Sequence, residues 1–253
     1  MKILLTNDDG IHAPGLHALY EELKEDFEVS IVAPESEMSA AGHSITISNP
    51  LKVLEIMNGG SFYGFAVNGS PADCVKIAVQ EILEKTPDII LSGINPGANT
   101  GINILYSGTV SAAIEGTFLG IPSAALSLDS LKDPDFRFAA RFSRKIIHYM
   151  KENTINNNTA FNVNFPAVPE KEIQGVALAR QSLRIHREKY ARRIDPRGNV
   201  YYWLTGEYSP DESARDTDTN LLMQKMITIT PITYDLTCFN ALERMRNITL
   251  PEI

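Results

Sequence analysis

Cysteine, tryptophan and net positive charge are scarce in this chain, and each shortage removes a class of protein. Two cysteines, Cys74 and Cys238, stand in 253 residues, and neither belongs to a C-x-x-C pair. Neither a zinc knuckle nor a disulfide framework is therefore expected. Lys and Arg number 23 against 31 Asp and Glu, a net charge of −8. Proteins that read nucleic-acid polymers carry a basic face. The single basic stretch, Arg184 to Arg197, reads RIHREKYARRIDPR; it is mixed in sign and expected to form a solvated helix or loop. No apolar run approaches membrane length, and MKILLTNDD reaches acids too early for a signal peptide. The expectation is a cytoplasmic protein with no membrane partner. Several motifs are also missing. There is no P-loop G-x-x-x-x-G-K-[ST], no G-x-G-x-x-G after the first strand, no esterase G-x-S-x-G, and no D-x-D-x-[TV] of haloacid-dehalogenase phosphatases.

The rest of the composition is that of an ordinary globular protein. A 43% hydrophobic content with 21% charged residues can bury a full core without staples. The acidic balance does not exclude small phosphorylated ligands, because a bound metal reverses the local sign.

Strand-like and helix-like segments alternate through the first half. Lys2–Thr6, Glu28–Ala33, Asp88–Leu91 and Ser123–Leu128 are short apolar runs that predict buried strands. Pro14 opens a helix with Leu16, Leu19, Tyr20 and Leu23 on one face. Ser70-Pro71-Ala72-Asp73 has the form of a capping box, followed by a Cys74, Val75, Ala78, Ile82 stripe. A small-residue helix is predicted from Ser107, and Phe138, Phe142, Ile146 and Tyr149 mark another. Such alternation implies βαβ units, hence an α/β fold with a doubly wound, mostly parallel, Rossmann-like sheet. Ligands bind such sheets outside the carboxyl ends of the strands. Here those ends are Asn7-Asp8-Asp9, Pro34 onward, and Ser92 to Asn95, and they are expected at one edge. After Asn153 the texture changes to ENTINNNTA and then to short β-like runs, FNVNFP, VALAR, YYWLTG and MITITPI. The division expected is a catalytic unit over residues 1–153 and an extension over 154–253, with a hairpin suited to subunit contacts, whether or not the two pack as one domain.

Four stretches could carry chemistry. Asp8 and Asp9 follow directly from a buried strand. Two readings compete for them: acids favoured at a helix start, or hard oxygen ligands for a divalent cation, which would cancel their repulsion. SGINPGANTGIN, Ser92 to Asn103, is a long Gly-rich loop at a strand end. Gly93 and Gly97 let backbone approach a ligand, and Asn95 offers a neutral oxygen. YSGTVSAA places Ser107, Gly108 and Thr109 at a helix start, either as a phosphate cradle or as a plain cap. PESEMSAAGHSITI carries Ser39, His43 and Ser44, with His43 expected as a surface residue, whereas His12 lies closer to the acid pair. Oxygen donors of this kind favour Mg²⁺, Mn²⁺ or Ca²⁺ over zinc.

Together ILLTNDDGIHAPGL, SAAGHSIT, VNGSPADCV, SGINPGANTGINILYSGTVSAAIEG, LGIPSAALS, FNVNFP and TDTNLLMQKMITITPI resemble one family closely, in order, from Met1 to about Ile232. It is the SurE family, stationary-phase survival proteins that are metal-dependent 5′-nucleotidases. The resemblance implies hydrolysis of nucleoside 5′-monophosphates, with 3′-monophosphates and short polyphosphate as further substrates. It implies one divalent metal ion, Mg²⁺ or Mn²⁺ (Ca²⁺ in crystals), on Asp8, Asp9, Ser39 and Asn95. Asn7, Gly93, Gly97, Asn99, Ser107, Gly108 and Thr109 would contact phosphate or substrate, and Asp8, Asp9 and Asn95 would be catalytic. The family assembles as homodimers or homotetramers through the carboxyl-terminal half. Where it usually carries Gly, Ala and Gly, this chain has Asp216, Leu221 and Lys225. ILLTNDDG also has some likeness to a receiver domain, but a receiver needs a phosphoacceptor Asp at a later strand end, where this chain offers Asn95.

Overall fold

A computed structural model describes residues 1–153, 158–183, 187–207, 214–246 and 248. Eleven strands form: β1 Lys2–Thr6, β2 Glu28–Pro34, β3 Val53–Asn58, β4 Ser61–Val67, β5 Ile89–Pro96, β6 Ser123–Leu128, β7 Ala160–Phe165, β8 Gly175–Leu178, β9 Arg187–Ile194, β10 Val200–Glu207 and β11 Met226–Ile232. The helices are α1 Pro14–Leu23, α2 Pro71–Ile77, α3 Gly108–Phe118, α4 Arg137–Glu152, α5 Asp218–Met223 and α6 Phe239–Met245. Nine strands make one sheet in the order β3-β4-β2-β1-β5-β6-β7-β11-β8, and β9 and β10 make a separate antiparallel pair. Pairing is parallel from β4 through β2, β1, β5 and β6 to β7. The β3–β4 and β7–β11 pairs are antiparallel. The sheet is thus mostly parallel, and it draws β7, β8 and β11 from the second half of the chain.

Why these segments become strands is visible in their burial. Ile3, Leu5, Leu91 and Leu126 point to the layer of α1 and α4, while Leu4, Ile90 and Val32 point to α2 and α3. A strand buried on both faces needs a continuous apolar run rather than alternation. Helix α2 starts at the expected capping box: Ser70 Oγ accepts from Asp73 N at 3.1 Å and Asp73 Oδ2 accepts from Ser70 N at 2.9 Å. Its stripe then passes into a π-turn at Ala78–Ile82. In α4 the buried face is Ala139, Ala140, Ser143, Ile146, Ile147 and Met150. Phe138, Phe142 and Tyr149 flank that seam rather than form it.

The charged stretch expected as helix or loop is corrected over Arg187–Ile194, which is strand β9, paired along its whole length with β10; Arg184 to His186 lie outside the described residues. A hairpin exposed on both faces has no apolar side to show as a period. Lys225, where the family usually has Gly, takes φ +64°, a left-handed position that glycine occupies without strain. Among the described residues no helix is long and apolar enough to cross a membrane.

Strand direction puts the carboxyl ends of β2, β1 and β5 at one edge. Strand order reverses between β1 and β5, so this edge is the switch point where such sheets open a crevice. Helix α1 crosses there in close contact: a Cβ on Gly15 would sit 2.0 Å from the Ile94 carbonyl oxygen in β5. A Gly15→Ala substitution is therefore expected to force the helix away from β5. It should destabilise the protein by more than about 2 kcal/mol, read as a melting-temperature loss of roughly 4 °C or more. A melt within 1 °C of wild type would show that the contact relaxes freely.

Candidate active site

Asp8 and Asp9 leave the end of β1 in a turn that their neighbours build. The Asn7 amide closes it, donating from Nδ2 to the Gly10 carbonyl at 3.0 Å and accepting from Gly10 N–H at 3.2 Å. Gly10 takes φ +101°, which needs a residue without Cβ. Asn7 thus shapes the turn with both ends of its side chain. Asp8 is 4% exposed. Thr109 Oγ1 donates to Asp8 Oδ1 at 2.5 Å. Burial pushes the Asp8 carboxyl up, and hydrogen bonds from the Thr109 hydroxyl and from the Thr109 and Gly108 backbone partly offset this. Position 108 has to be glycine for that approach, since a Cβ there would lie 2.7 Å from Asp8 Cβ.

Asp9 has no such support. Its Oδ2 is buried without a hydrogen-bond partner. Burial, then the charges of Asp8 and Glu37, push its carboxyl up to about 7. A buried, unpaired carboxylate oxygen beside a second carboxylate is an arrangement that a cation resolves and that water-free protein does not.

The segment after β2 closes on this pair: Met38 N–H donates to the Asp8 carbonyl at 2.7 Å. Ser39 follows, exposed, with its hydroxyl on Glu37 Oε1 at 2.7 Å. On the other side, Thr6 pairs with Ser92. The register of β5 against β6 then slips between Ser92 and Asn95, a bulge of the kind that re-aims side chains beside sites. Gly93 makes the bulge possible, because a Cβ would stand 2.3 Å from the Leu126 carbonyl oxygen. The Asn95 amide nitrogen is committed to the Gly97 carbonyl at 2.7 Å, so only its Oδ1 could serve a ligand.

The remaining expected residues serve the framework in this structure. Ser107 caps α3, its Oγ accepting from Val110 N–H at 3.1 Å. Thr109 and Gly108 turn their donors on Asp8. Asn99 is buried, its amide on Ser127 Oγ at 2.9 Å and its carbonyl taking Asn162 and Asn164 at 2.7 and 3.2 Å. His12 is exposed. Residues that sequence reasoning missed are Glu37, whose charge acts on Asp9, and Asp218, fully buried and accepting from Gly101 N–H at 2.8 Å. Asp218 lay within the quoted TDTN block, but nothing local marked it. Among the described residues no three His, Cys, Asp or Glu side chains cluster as a metal group. Any cation would rest on two carboxylates plus neutral oxygens and water, the donor pattern of Mg²⁺ or Mn²⁺.

A parallel sheet with paired carboxylates at its switch point defines a class of α/β proteins; comparison defines the family. The family model described as "Survival protein SurE" matches residues 3–188. "5′-nucleotidase SurE" of Syntrophus aciditrophicus is 48% identical over 253 residues, covering 100% of this chain and 95% of that protein. The protein of the same name from Syntrophobacter fumaroxidans is 45% identical, covering 97% and 98%. The crystal structure of the SurE protein from Aquifex aeolicus superposes with a TM-score of 0.83 at 37% identity, covering 97% of this chain and 98% of that one. The chain belongs to the SurE family.

The raised Asp9 carboxyl sets a sign for stability. An acid whose folded value exceeds its unfolded one favours folding while protonated, and that contribution is lost as pH rises from about 4 through 7. In EDTA, the melting temperature of wild type relative to Asp9→Asn is expected to fall across pH 5 to 8. A flat difference would mean that Asp9 is not held protonated in the fold.

Proposed function

We propose that this protein is a metal-dependent phosphomonoesterase that hydrolyses nucleoside 5′-monophosphates to nucleoside and phosphate. The observation that carries this is the buried, unpartnered Asp9 Oδ2 beside Asp8 at the sheet's switch point. The names of the relatives supply the substrate class. The same site would accept 3′-monophosphates and short polyphosphate, since recognition there centres on the phosphoryl group. Asp8, Asp9, Asn95 Oδ1 and Ser39 would hold one Mg²⁺ or Mn²⁺ ion. When bound, such an ion supplies positive charge against the phosphoryl oxygens and acidifies water near neutral pH.

The chain's own groups do the rest. Thr109 and the α3 amino terminus fix Asp8 in one orientation and oppose the upward push of burial on its carboxyl. Asn95 and the backbone at Gly93 and Gly97 line the approach for phosphoryl oxygens, where their lack of bulk admits close contact. Asp8 Oδ1 is tied to Thr109 and Asp9 Oδ2 would be taken up by the ion, so both carboxylates would hold and water would be the nucleophile; acid-quenched enzyme should then carry no phosphate on either Asp. The exposed hairpin residues Tyr190, Tyr201, Tyr202, Trp203 and Leu204 would be covered by another copy of the chain in a homodimer or homotetramer. The protein would work in the cytoplasm.

The test is phosphate release from a panel of nucleoside monophosphates with Mg²⁺, Mn²⁺ or EDTA. Turnover should require the metal. Asp8→Asn should lower kcat/KM by about a thousandfold, the worth of several kcal/mol of charge stabilisation. Thr109→Val, which removes the hydroxyl behind a ligand, should weaken metal activation by roughly 10- to 100-fold. Binding of nucleotides without release of phosphate under any metal would overturn the reading in favour of a nucleotide-binding protein.

A further inference from the structure

The segment between β2 and β3 forms no helix or strand from Glu35 to Lys52, yet it carries Ser39. Such a segment is only as well placed as its anchors. Backbone bonds hold it at Met38 (to the Asp8 carbonyl) and at Gly42, whose N–H donates to the Tyr106 carbonyl at 3.0 Å. Further along, Ser70 Oγ donates to the Ser44 carbonyl at 2.6 Å, and Thr46 N–H donates to Asp73 at 3.0 Å.

One anchor differs in kind. His43 Nε2 lies 2.9 Å from Glu115 Oε2, and opposite a carboxylate that nitrogen carries the proton. Glu115 is 1% exposed, in the body of α3, and its other oxygen takes Lys76 Nζ at 2.6 Å from α2. The imidazole stacks on Phe118, with centroids 5.3 Å apart and planes 13° from parallel. Phe118 in turn meets Tyr234 edge-on at 4.5 Å. Burial alone pushes the Glu115 carboxyl up, but hydrogen bonds from His43 and Lys76 hold it below its ordinary value. A buried carboxylate kept ionised by two donors is an expensive feature, strongly destabilising when one partner is removed. Catalysis as derived above does not use it.

Helix α3 joins the two ends of this arrangement. Its first turn touches Asp8 through Gly108 and Thr109. About two turns further on, Glu115 touches His43, four residues beyond Ser39. We propose that Glu115, braced by Lys76, is a positioning residue for the divalent-cation site: through His43 it registers the 38–46 segment, and with it Ser39, against the Asp8–Asp9 pair. This rests on the metal-site reading given above. Tethering a ligand-bearing loop from a buried group is what outer-shell residues do at metal centres, and their loss costs roughly 10- to 100-fold in metal affinity.

The test titrates Mn²⁺ alone into the EDTA-stripped protein by calorimetry, beside amide hydrogen exchange over residues 38–46 in EDTA. His43→Ala should bind Mn²⁺ about 10- to 100-fold more weakly and exchange faster in the segment, with β1 and β5 protection unchanged. His43→Gln, which can still donate to Glu115, should recover most of both. At saturating Mn²⁺, the KM for nucleotide should be that of wild type in all variants, so the defect lies in metal binding. If His43→Ala does not fold, Phe118→Leu removes the stack and leaves the His43–Glu115 hydrogen bond, and should show a smaller shift in the same direction. A folded His43→Ala that binds Mn²⁺ like wild type, in an unchanged segment, overturns this inference alone. A wild type that binds no Mn²⁺ overturns the metal-site reading, and this inference with it.

Discussion

The structure is organised around a repulsion. Two carboxylates in sequence leave the end of a strand that is buried on both faces, and the fold gives them unequal treatment. Asp8 receives a hydroxyl and backbone N–H groups from the start of α3, which partly offset the cost of its burial. Asp9 receives nothing at Oδ2 and feels the charges of Asp8 and Glu37. Left alone, such a pair destabilises its own fold near neutral pH. Sites that bind charge are commonly built this way: the strain in the protein without ligand becomes affinity for whatever cancels it.

The far side of the same site is held from the second half of the chain. The loop after β5 would drift if it depended on its own glycines. Instead Asn99 is fastened under it to Ser127, Asn162 and Asn164, on β6 and β7. Gly101 N–H is fastened to Asp218, which also accepts from Ser182 N–H at 2.9 Å. These are buried bonds, all but Asn99–Ser127 between side chain and backbone, each far stronger in effect than a surface contact because its loss leaves a dry polar group unsatisfied. The carboxyl-terminal half is therefore part of what keeps Asn95 in place, whatever further contacts its hairpin makes.

Much of this was legible from the residues. Lys2–Thr6 and Ser123–Leu128 announce themselves as short, uncharged or nearly uncharged runs dominated by apolar residues, as strands buried on both faces require, and the Ser70–Asp73 box because capping is local chemistry. Met226–Ile232 was visible as a β-like run through its alternating Ile and Thr, both β-branched. What stayed hidden had no local signature. Strand β9 is charged and exposed on both faces, so its pairing with β10 leaves no period in the sequence. Residue 43 reads as a surface histidine and is exposed, but its bond to Glu115 left no trace, since that partner is distant in the chain and belongs to a helix that reads as small and apolar. Asp218 resembles an ordinary helix-start acid until the fold delivers Gly101 and Ser182 to it. The acid pair could be placed at a strand end from sequence, but that Asp9, not Asp8, is the unsatisfied member depends on which of them faces α3.

Helix α3 shows how composition becomes position. SGTVSAAIEG offers almost no bulk, and the structure uses that to bring the helix hard against its neighbours. A Cβ at Gly108 would collide with Asp8, and one at Gly116 would stand 2.1 Å from Ser123 Oγ in β6. With both glycines in contact, the helix can neither slide along nor rise from the sheet, because interiors at crystal-like density do not yield by ångströms. Its single long buried side chain, Glu115, then becomes a fixed arm rather than a floppy one. A helix that could shift would transmit nothing from Thr109 to residue 43. A helix clamped at both glycines sets the distance between the group that orients Asp8 and the group that holds the Ser39 segment, so the geometry of the site follows from how closely small residues let this one element pack.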